Sequence, residues 1–404
     1  MDKIFSSLIG NSGIKVSGLG VIIYKNGVQV YEKFCGSRKK NLPVTRDTKF
    51  RVASLSKQFT IFTIMQLVEQ GKINLDDDVN KYLDFNLRNP RYPDVPISIR
   101  MLASHTSSIR DGKIYSTPPN FSLAEFFMPN GKFYEGGAHF GAEPPEKFFT
   151  YCNLNYGILG TIIEVVTGKR FDIYQRENIL SQLNTQADYV VGNLPKKDFE
   201  LLGTLYANEN FKTHYDDYAE QPARDTISLQ NPYAENFCET FNLRDYEVGK
   251  NATIFSPQGG LRISFEELTH AMEMILNGGK YRGRKILSEK SLAEMFKPQW
   301  IFNGHNGDTC GGVMLSYGLG EYQIDGKTTA RLCKNHEINF VGHTGIAFGL
   351  LAGMFFRADS RDAFLYIING HCIYEDNNPL AKGKFSGNYI WEEIISDAVI
   401  NFLQ

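Results

Sequence analysis

The 404-residue chain has no C-x-x-C pair and no cysteine–histidine spacing of the zinc-binding kind; its six cysteines, Cys35, Cys152, Cys238, Cys310, Cys333 and Cys372, are scattered. A structural zinc is therefore not expected. The even count permits disulfides, but a chain this long buries enough apolar surface to stand without them, so buried free thiols are expected. Neither sign of charge dominates: 43 Lys and Arg stand against 45 Asp and Glu, a net charge of -2. Nothing in that balance attracts nucleic acid or an anionic membrane surface, which leaves a small molecule or short peptide as the expected substrate. No apolar run approaches the ~18 residues that a membrane span needs. The opening MDKIFSSLIGNSGIKVSGLG lacks the basic-then-apolar pattern of an export signal, so the sequence as written reads as soluble and cytoplasmic. A periplasmic or secreted protein trimmed of its signal, with Met1 supplied, would read the same way. There is also no internal repeat, low-complexity stretch or charge block to suggest a solenoid or a tail.

What is present is the composition of a folded enzyme, 42% hydrophobic and 22% charged. GLGVIIYKNGVQVYEKFCG is two β-rich runs around an Asn-Gly turn, the short-range signature of a hairpin. From Ser54 to Gln70, apolar side chains recur at Phe59, Phe62, Met65 and Val68 before Gly71, which predicts a helix with one buried face. Between Asn74 and Trp300 the apolar runs, such as TIIEVVTG and SFEELTHAMEMILNGG, are of helix length, and Pro195 to Ser256 is irregular in part. Strand-like runs return late, in YGLGEYQI, GIAFGLLAGMFF and AFLYIIN, ahead of a closing amphipathic helix, IWEEIISDAVINFL. This order predicts a mixed α/β (α+β) fold, an antiparallel sheet built from both chain ends, flanked by helices and joined by a mostly helical second lobe. Residues 1–404 then form one catalytic unit, with a sheet lobe at about 14–73 and 301–404 and a helical lobe at about 74–300. Sites favour such seams.

Three short patterns carry residues capable of chemistry. Ser54-Leu55-Ser56-Lys57 puts a hydroxyl and an amine on one helix face, at a helix start whose backbone N–H groups point toward developing negative charge. The same S-x-x-K occurs at Ser12 and Ser37, but Ser12 precedes the hairpin and Ser37 falls in a basic connection, whereas Ser54 opens a buried helix. Tyr151-Cys152-Asn153 precedes the helical NYGILGTIIEVVTG, and its Tyr-x-Asn recurs at Tyr24 and Tyr206. His343-Thr344-Gly345 directly precedes an apolar strand candidate, where glycine permits close backbone approach; His139 and His305 begin the same H-x-G pattern. Alone, each has an ordinary structural reading: a helix-start serine, a half-buried phenol, a packed histidine.

Taken in order, S-x-x-K, Y-x-N and H-T-G resemble the penicillin-recognising serine hydrolases. The branch in question holds class C β-lactamases, D-alanyl-D-alanine carboxypeptidases, D-aminopeptidases and related esterases. RVASLSKQFT, GKINLDDDVNKYL, MLASHTSSIRDG, SPQGGLRISFEEL and VGHTGIAFG look like family blocks in family order, and they cover nearly the whole chain. The resemblance implies a β-lactamase/transpeptidase-like fold in which Ser54 forms an acyl-enzyme and Lys57 and Tyr151 share the proton traffic. Both side chains have free pKa values near ~10, so one must be held deprotonated, and sequence leaves open which. It further implies that Asn153 binds the substrate's acyl-side amide and that His343, with Thr344 and Gly345, lies opposite, near the tyrosine oxygen or the substrate. The N–H groups of Ser54 and Ile346 would form the oxyanion hole.

Departures from the family pattern bear on substrate. His343 stands where class C β-lactamases usually carry lysine, which disfavours a dedicated penicillin-destroying enzyme. Cys152 replaces a usual serine and reads as packing. Ser108 takes a usual glycine position, and Gln182-Leu183-Asn184-Thr185 replaces the familiar PLG-Met, both affecting local turns. The leading expectation is a hydrolase of a peptide or amide, one carrying a D-residue, with an esterase and a non-catalytic penicillin-binding or sensor protein as the alternatives. No metal or organic cofactor is called for, and oligomeric state is not legible.

Overall fold

The computed structural model describes residues 1–10, 13–206, 214–230, 238–357, 359–371 and 381–404. Its centre is a nine-stranded antiparallel sheet drawn from both ends of the chain. In spatial order the strands are Trp300–Ile301, Ser316–Tyr317, Tyr322–Ile324, Phe340–Ala347, Leu350–Phe356, Ala363–Asn369, Gly18–Lys25, Val28–Lys39 and Leu42–Pro43. The two chain ends meet where Gly18 to Tyr24 pair with Asn369 to Ala363. Asn26 and Gly27, at φ 54° and 80°, make the turn expected of Asn-Gly in a tight hairpin.

The late apolar run differs from its sequence reading. IAFGLLAGMFF is not one strand: Phe348 and Gly349, at φ 53° and 83°, turn the chain between Ala347 and Leu350. Phenylalanine seldom adopts positive φ, so Gly349 alone marked the turn, and a lone glycine in an apolar run is a weak signal. His343-Thr344-Gly345 consequently lies inside the strand Phe340–Ala347 rather than before it.

Alternation along the strands sorts side chains between two cores. Ile22, Ala352, Met354, Leu365 and Ile367 pack with the helices Ser56–Glu69, Leu154–Thr167 and Phe265–Leu276 on one face. Val21, Ile23, Leu351, Phe355, Phe364 and Ile368 pack on the other with Trp391, Ile395 and Val399 of the closing helix Ile390–Leu403. Because both faces are covered, the central strands read as continuous apolar runs, a pattern more familiar from parallel sheets. Between Asn74 and Trp300, helices alternate with long connections and short hairpins such as Thr226–Gln230 with Cys238–Asn242.

The helix Ser56–Glu69 is also buried more completely than its pattern suggested. Every residue from Ser56 to Leu67 is buried, not one face alone, since the sheet covers one side and other helices the rest. Its polar side chains find partners inside: Thr60 Oγ1 donates to Pro257 O at 2.8 Å, and Gln66 Nε2 to Ile286 O at 3.1 Å.

Candidate active site

The strand Lys49–Arg51 runs into a single tight turn, Ala53–Leu55, and the α-helix proper begins at Ser56. Ser54 thus stands one turn ahead of the helix it was expected to open. In a 3₁₀ turn side chains three apart nearly eclipse, which brings Lys57 Nζ to 3.0 Å from Ser54 Oγ. Lys57 Nζ also reaches Asn153 Oδ1 at 2.9 Å and Gln258 O at 3.2 Å, and lies 4.6 Å from the Tyr151 ring centre and 5.2 Å from that of Tyr156.

Burial pulls the Lys57 pKa down to about 7, against the opposing pull of Asp111 and Cys152. A neutral amine has two N–H donors and one lone pair, which matches these surroundings: two carbonyl oxygens, on Asn153 and Gln258, and one hydroxyl, on Ser54, that can give up its proton. Burial moves Tyr151 the opposite way, well above the usual phenol value, although its hydroxyl bonds to Ser54. Of the two candidate bases, the geometry and electrostatics favour the lysine.

The Tyr151-Cys152-Asn153 turn is held by a residue that the sequence reading missed. Asp111 Oδ2 accepts from Asn153 Nδ2 at 2.9 Å, while its Oδ1 accepts from Leu154 N at 2.9 Å and Cys152 Sγ at 3.3 Å. Leu154 begins the helix Leu154–Thr167, which has no side-chain cap of its own, so Asp111 supplies an anion to its free N–H from a distant loop. Asp111 sat in SIRDG, but nothing in the spacing connects it with residues 42 positions away. The Asn153 amide is thereby held at both ends, Oδ1 by Lys57 and Nδ2 by Asp111, with its second N–H and second lone pair not used by these bonds. Cys152 is buried and packs, as its sequence reading held.

His105, also unmarked by the sequence reading, lies 4.5 Å from the Tyr151 ring, and its Nδ1 accepts from Cys152 N at 3.1 Å. Burial, then the Lys57 charge, holds it well below the usual histidine pKa. Ser108 has φ +64°, so the left-handed turn that favours glycine persists with a serine, whose Oγ accepts from Asn89 Nδ2 at 2.8 Å. Asn184, at φ +55°, likewise keeps a turn where the usual family residues are replaced.

Opposite Tyr151 runs the strand Phe340–Ala347. A Cβ on Gly345 would lie 2.5 Å from Val52 O and 3.2 Å from Ser54 N, so only glycine lets this strand approach the Ser54 turn. Next in line, Ile346 is 44% exposed and forms the open edge of the cleft. Thr344 Oγ1 lies 3.4 Å from Tyr322 OH. His343 packs its ring 5.9 Å from that of Tyr151, while Nε2 bonds to Tyr317 OH at 3.0 Å and Nδ1 to Thr344 O. Burial and Lys57 lower the His343 pKa to about 3, so Nδ1–H donates to the carbonyl and Nε2 accepts from the phenol.

The other motif matches are elsewhere. Ser12 lies outside the described residues. Ser37 is in the strand Val28–Lys39, not in a connection, and its backbone pairs with Ser17. Tyr24 OH donates to Glu273 Oε1 at 2.9 Å, and Tyr206 sits in a short hairpin. Both ring nitrogens of His139 bond to backbone carbonyls, and His305 is exposed. Cys35, Cys152, Cys310 and Cys333 are free thiols, and Cys310 is exposed where a buried thiol was expected. Cys372 and the Cys238 side chain lie outside the described residues. Among the described residues no cluster of His, Cys, Asp and Glu could hold a metal ion, and no helix is long and apolar enough to cross a membrane.

A serine–lysine pair at a helix start, backed by a Tyr-x-Asn turn and faced by a strand of a large antiparallel sheet, defines the β-lactamase/transpeptidase-like fold. The Beta-lactamase family model matches residues 5–371, and the chain belongs to that family. Among curated relatives, Protein flp of Staphylococcus aureus strain NCTC 8325 is 25% identical over 286 residues, 69% of this chain and 49% of that protein. Penicillin-binding protein 4 of Amycolatopsis lactamdurans is 29% identical over 179 residues, 42% of this chain and 43% of the other. The chain therefore spans about half the length of the curated relatives it matches. Among solved structures, the β-lactamase/D-alanine carboxypeptidase of Yersinia pestis superposes with a TM-score of 0.67 at 17% identity, over 100% of this chain and 96% of the other. The D-amino acid amidase of Ochrobactrum anthropi SV3 does so with a TM-score of 0.63 at 19% identity, over 99% and 96%.

Proposed function

We propose that the chain is a serine hydrolase that works through an acyl-enzyme on Ser54 and cleaves a peptide or amide whose acyl part is a D-residue. The observation that carries this reading is Lys57: an amine buried to a pKa of about 7, 3.0 Å from the Ser54 hydroxyl. Lys57 takes the Ser54 proton as Oγ attacks the carbonyl carbon, and the N–H groups of Ser54 and Ile346 receive the oxyanion. Tyr151, protonated and bonded to Ser54, relays the proton from Lys57 to the leaving amine as the C–N bond breaks. Water then attacks the ester by the same route in reverse, giving its proton to the base and releasing the acid. The D-residue is supported by fold neighbours whose titles name a D-amino acid amidase and a D-alanine carboxypeptidase.

The test begins with a fluorophosphonate probe and mass spectrometry, where the expected adduct is on Ser54. D-alanyl p-nitroanilide and D-alanyl peptides are then compared with p-nitrophenyl esters. Turnover of esters alone replaces the peptidase reading with an esterase. No adduct, together with a Ser54→Ala protein that behaves like wild type in every assay, removes the enzyme reading in favour of a binding protein.

A further inference from the structure

Three residues before Ser54, Arg51 carries a half-buried guanidinium with no ion-pair partner among the described residues. Nε donates to Gly259 O at 3.0 Å and Nη2 reaches Ser256 Oγ at 3.5 Å, both neutral acceptors. The carboxylate that acts on it, Asp216, spends its hydrogen bonds elsewhere: it is engaged by both Arg262 Nε and Nη2, at 3.0 and 2.7 Å. Burial, then the like charge of Arg262, pulls Arg51 down to about 10 against the opposing pull of Asp216, still a cation at neutral pH. The flat face of the guanidinium lies 4.8 Å from the ring centre of Phe348, whose other neighbour is the ring of Tyr215 at 4.4 Å. A partly desolvated guanidinium beside aromatic rings, with no carboxylate in ion-pair contact among the described residues, can still receive a planar anion.

Its position relative to the proposed chemistry says which part of a substrate that anion belongs to. The strand Phe340–Ala347 supplies a ruler. Tyr151 stands at the His343 end, Ser54 is met at Gly345, and Arg51 lies against Phe348, beyond Ile346. The leaving group is protonated at the Tyr151 end, so Arg51 is on the far side of the scissile carbonyl. The motif histidine does not compete, because burial keeps His343 neutral. The second guanidinium near the site, Arg110, lies beside Cys152, on the Tyr151 side, where Glu143 and Asp308 oppose its charge.

We propose that Arg51 is a specificity-determining residue that binds a carboxylate carried by the acyl part of the substrate, so that the enzyme takes acidic acyl groups such as a D-residue with a side-chain carboxylate. This rests on the acyl-enzyme reading of Ser54 and goes beyond it in naming the charge of the substrate and the side on which it lies.

The probes are D-glutamic acid α-(p-nitroanilide), its γ-methyl ester, and D-alanyl-D-alanine with its C-terminal amide. Wild type should prefer the free γ-carboxylate over its methyl ester by about tenfold to a hundredfold in kcat/KM, the worth of a charge-assisted bidentate pair. In Arg51→Gln that ratio should fall toward one, and in Arg51→Lys it should lie between, since lysine keeps the charge and loses the fork. Each ratio is measured within one protein, so a partly unfolded variant does not bias it, and the wild-type ratio stands if a variant fails to fold. Equal turnover of acid and methyl ester by wild type, or an unchanged ratio in Arg51→Gln, overturns the proposal and leaves the hydrolase standing. A preference for the free carboxylate confined to D-alanyl-D-alanine over its amide also overturns it, by moving the anion to the leaving group. Turnover of none of the four, with p-nitrophenyl esters still cleaved and Ser54 still labelled by the fluorophosphonate, overturns the peptide or amide reading and this proposal with it, and leaves the acyl-enzyme.

Discussion

If Lys57 is the base, acylation must titrate with it. An ordinary lysine, with a pKa near ~10.4, is neutral at pH 7 in roughly one molecule in 2,500. Lys57, lowered from 10.5 to about 7, is neutral in about half. The shift corresponds to roughly 5 kcal/mol of preference for the neutral amine, arising from burial between the Tyr151 and Tyr156 rings. The sign follows from the role: the unprotonated amine is the active form, so the acylation rate rises with pH and levels off above about 7. Two pH values below the midpoint it should stand about a hundredfold under the plateau. Single-turnover acylation by a chromogenic ester, followed by stopped flow from pH 5 to 9, measures this. Asp111→Asn provides the control, because the Asp111 carboxylate holds the Lys57 pKa up; without that charge the midpoint moves to lower pH. Tyr151→Phe should lower the plateau and leave the midpoint in place. A flat profile, a midpoint near that of a free amine, or a midpoint that disappears with Tyr151 rather than Lys57 would refute the assignment.

Three further outcomes test other parts of the structure. Gly345→Ala drives a methyl group against Val52 O and toward Ser54 N, so acylation should fall by about 10²- to 10³-fold, as for loss of an oxyanion donor, with the fold retained by circular dichroism. Asp111→Ala strips Leu154 N and Asn153 Nδ2 of their acceptor and should cost about 2–3 kcal/mol in urea unfolding, as well as slowing acylation. Leu365→Ala, at a fully buried position in the middle of the sheet, should cost about 3 kcal/mol by the same measurement and leave the acylation midpoint unmoved.

The departures from the family pattern have different physical weights. At Ser108 and Asn184 non-glycine residues adopt left-handed backbone, so the turns survive the replacements. His343 changes more. Where class C β-lactamases usually carry a lysine, this chain has a buried neutral imidazole tied to Tyr317. A guanidinium without an ion-pair contact among the described residues, that of Arg51, lies instead toward the Phe348 end of the strand. Such a transfer of charge changes what can be recognised without touching the nucleophile or its base.

Much of this was legible in the chain alone. The Asn-Gly hairpin, the closing helix from Ile390 to Leu403 and the antiparallel sheet shared by both ends follow from local turn chemistry and from the period of apolar residues, which are properties of neighbours in sequence. The S-x-x-K spacing put Ser54 beside Lys57 for the same reason, since three residues along a helix return to the same face. What the sequence could not decide are quantities set by residues distant along the chain. Phe348 turns beside a single glycine within an apolar run, and the helix from Ser56 is buried all round because layers from both halves of the chain enclose it. Whether Lys57 or Tyr151 can act as base depends on desolvation by rings from other segments, and the orientation of His343 on a phenol two strands away in the sheet. Spacing along the chain determined which groups could meet; only the packed interior, by removing water from them, decided which would be charged.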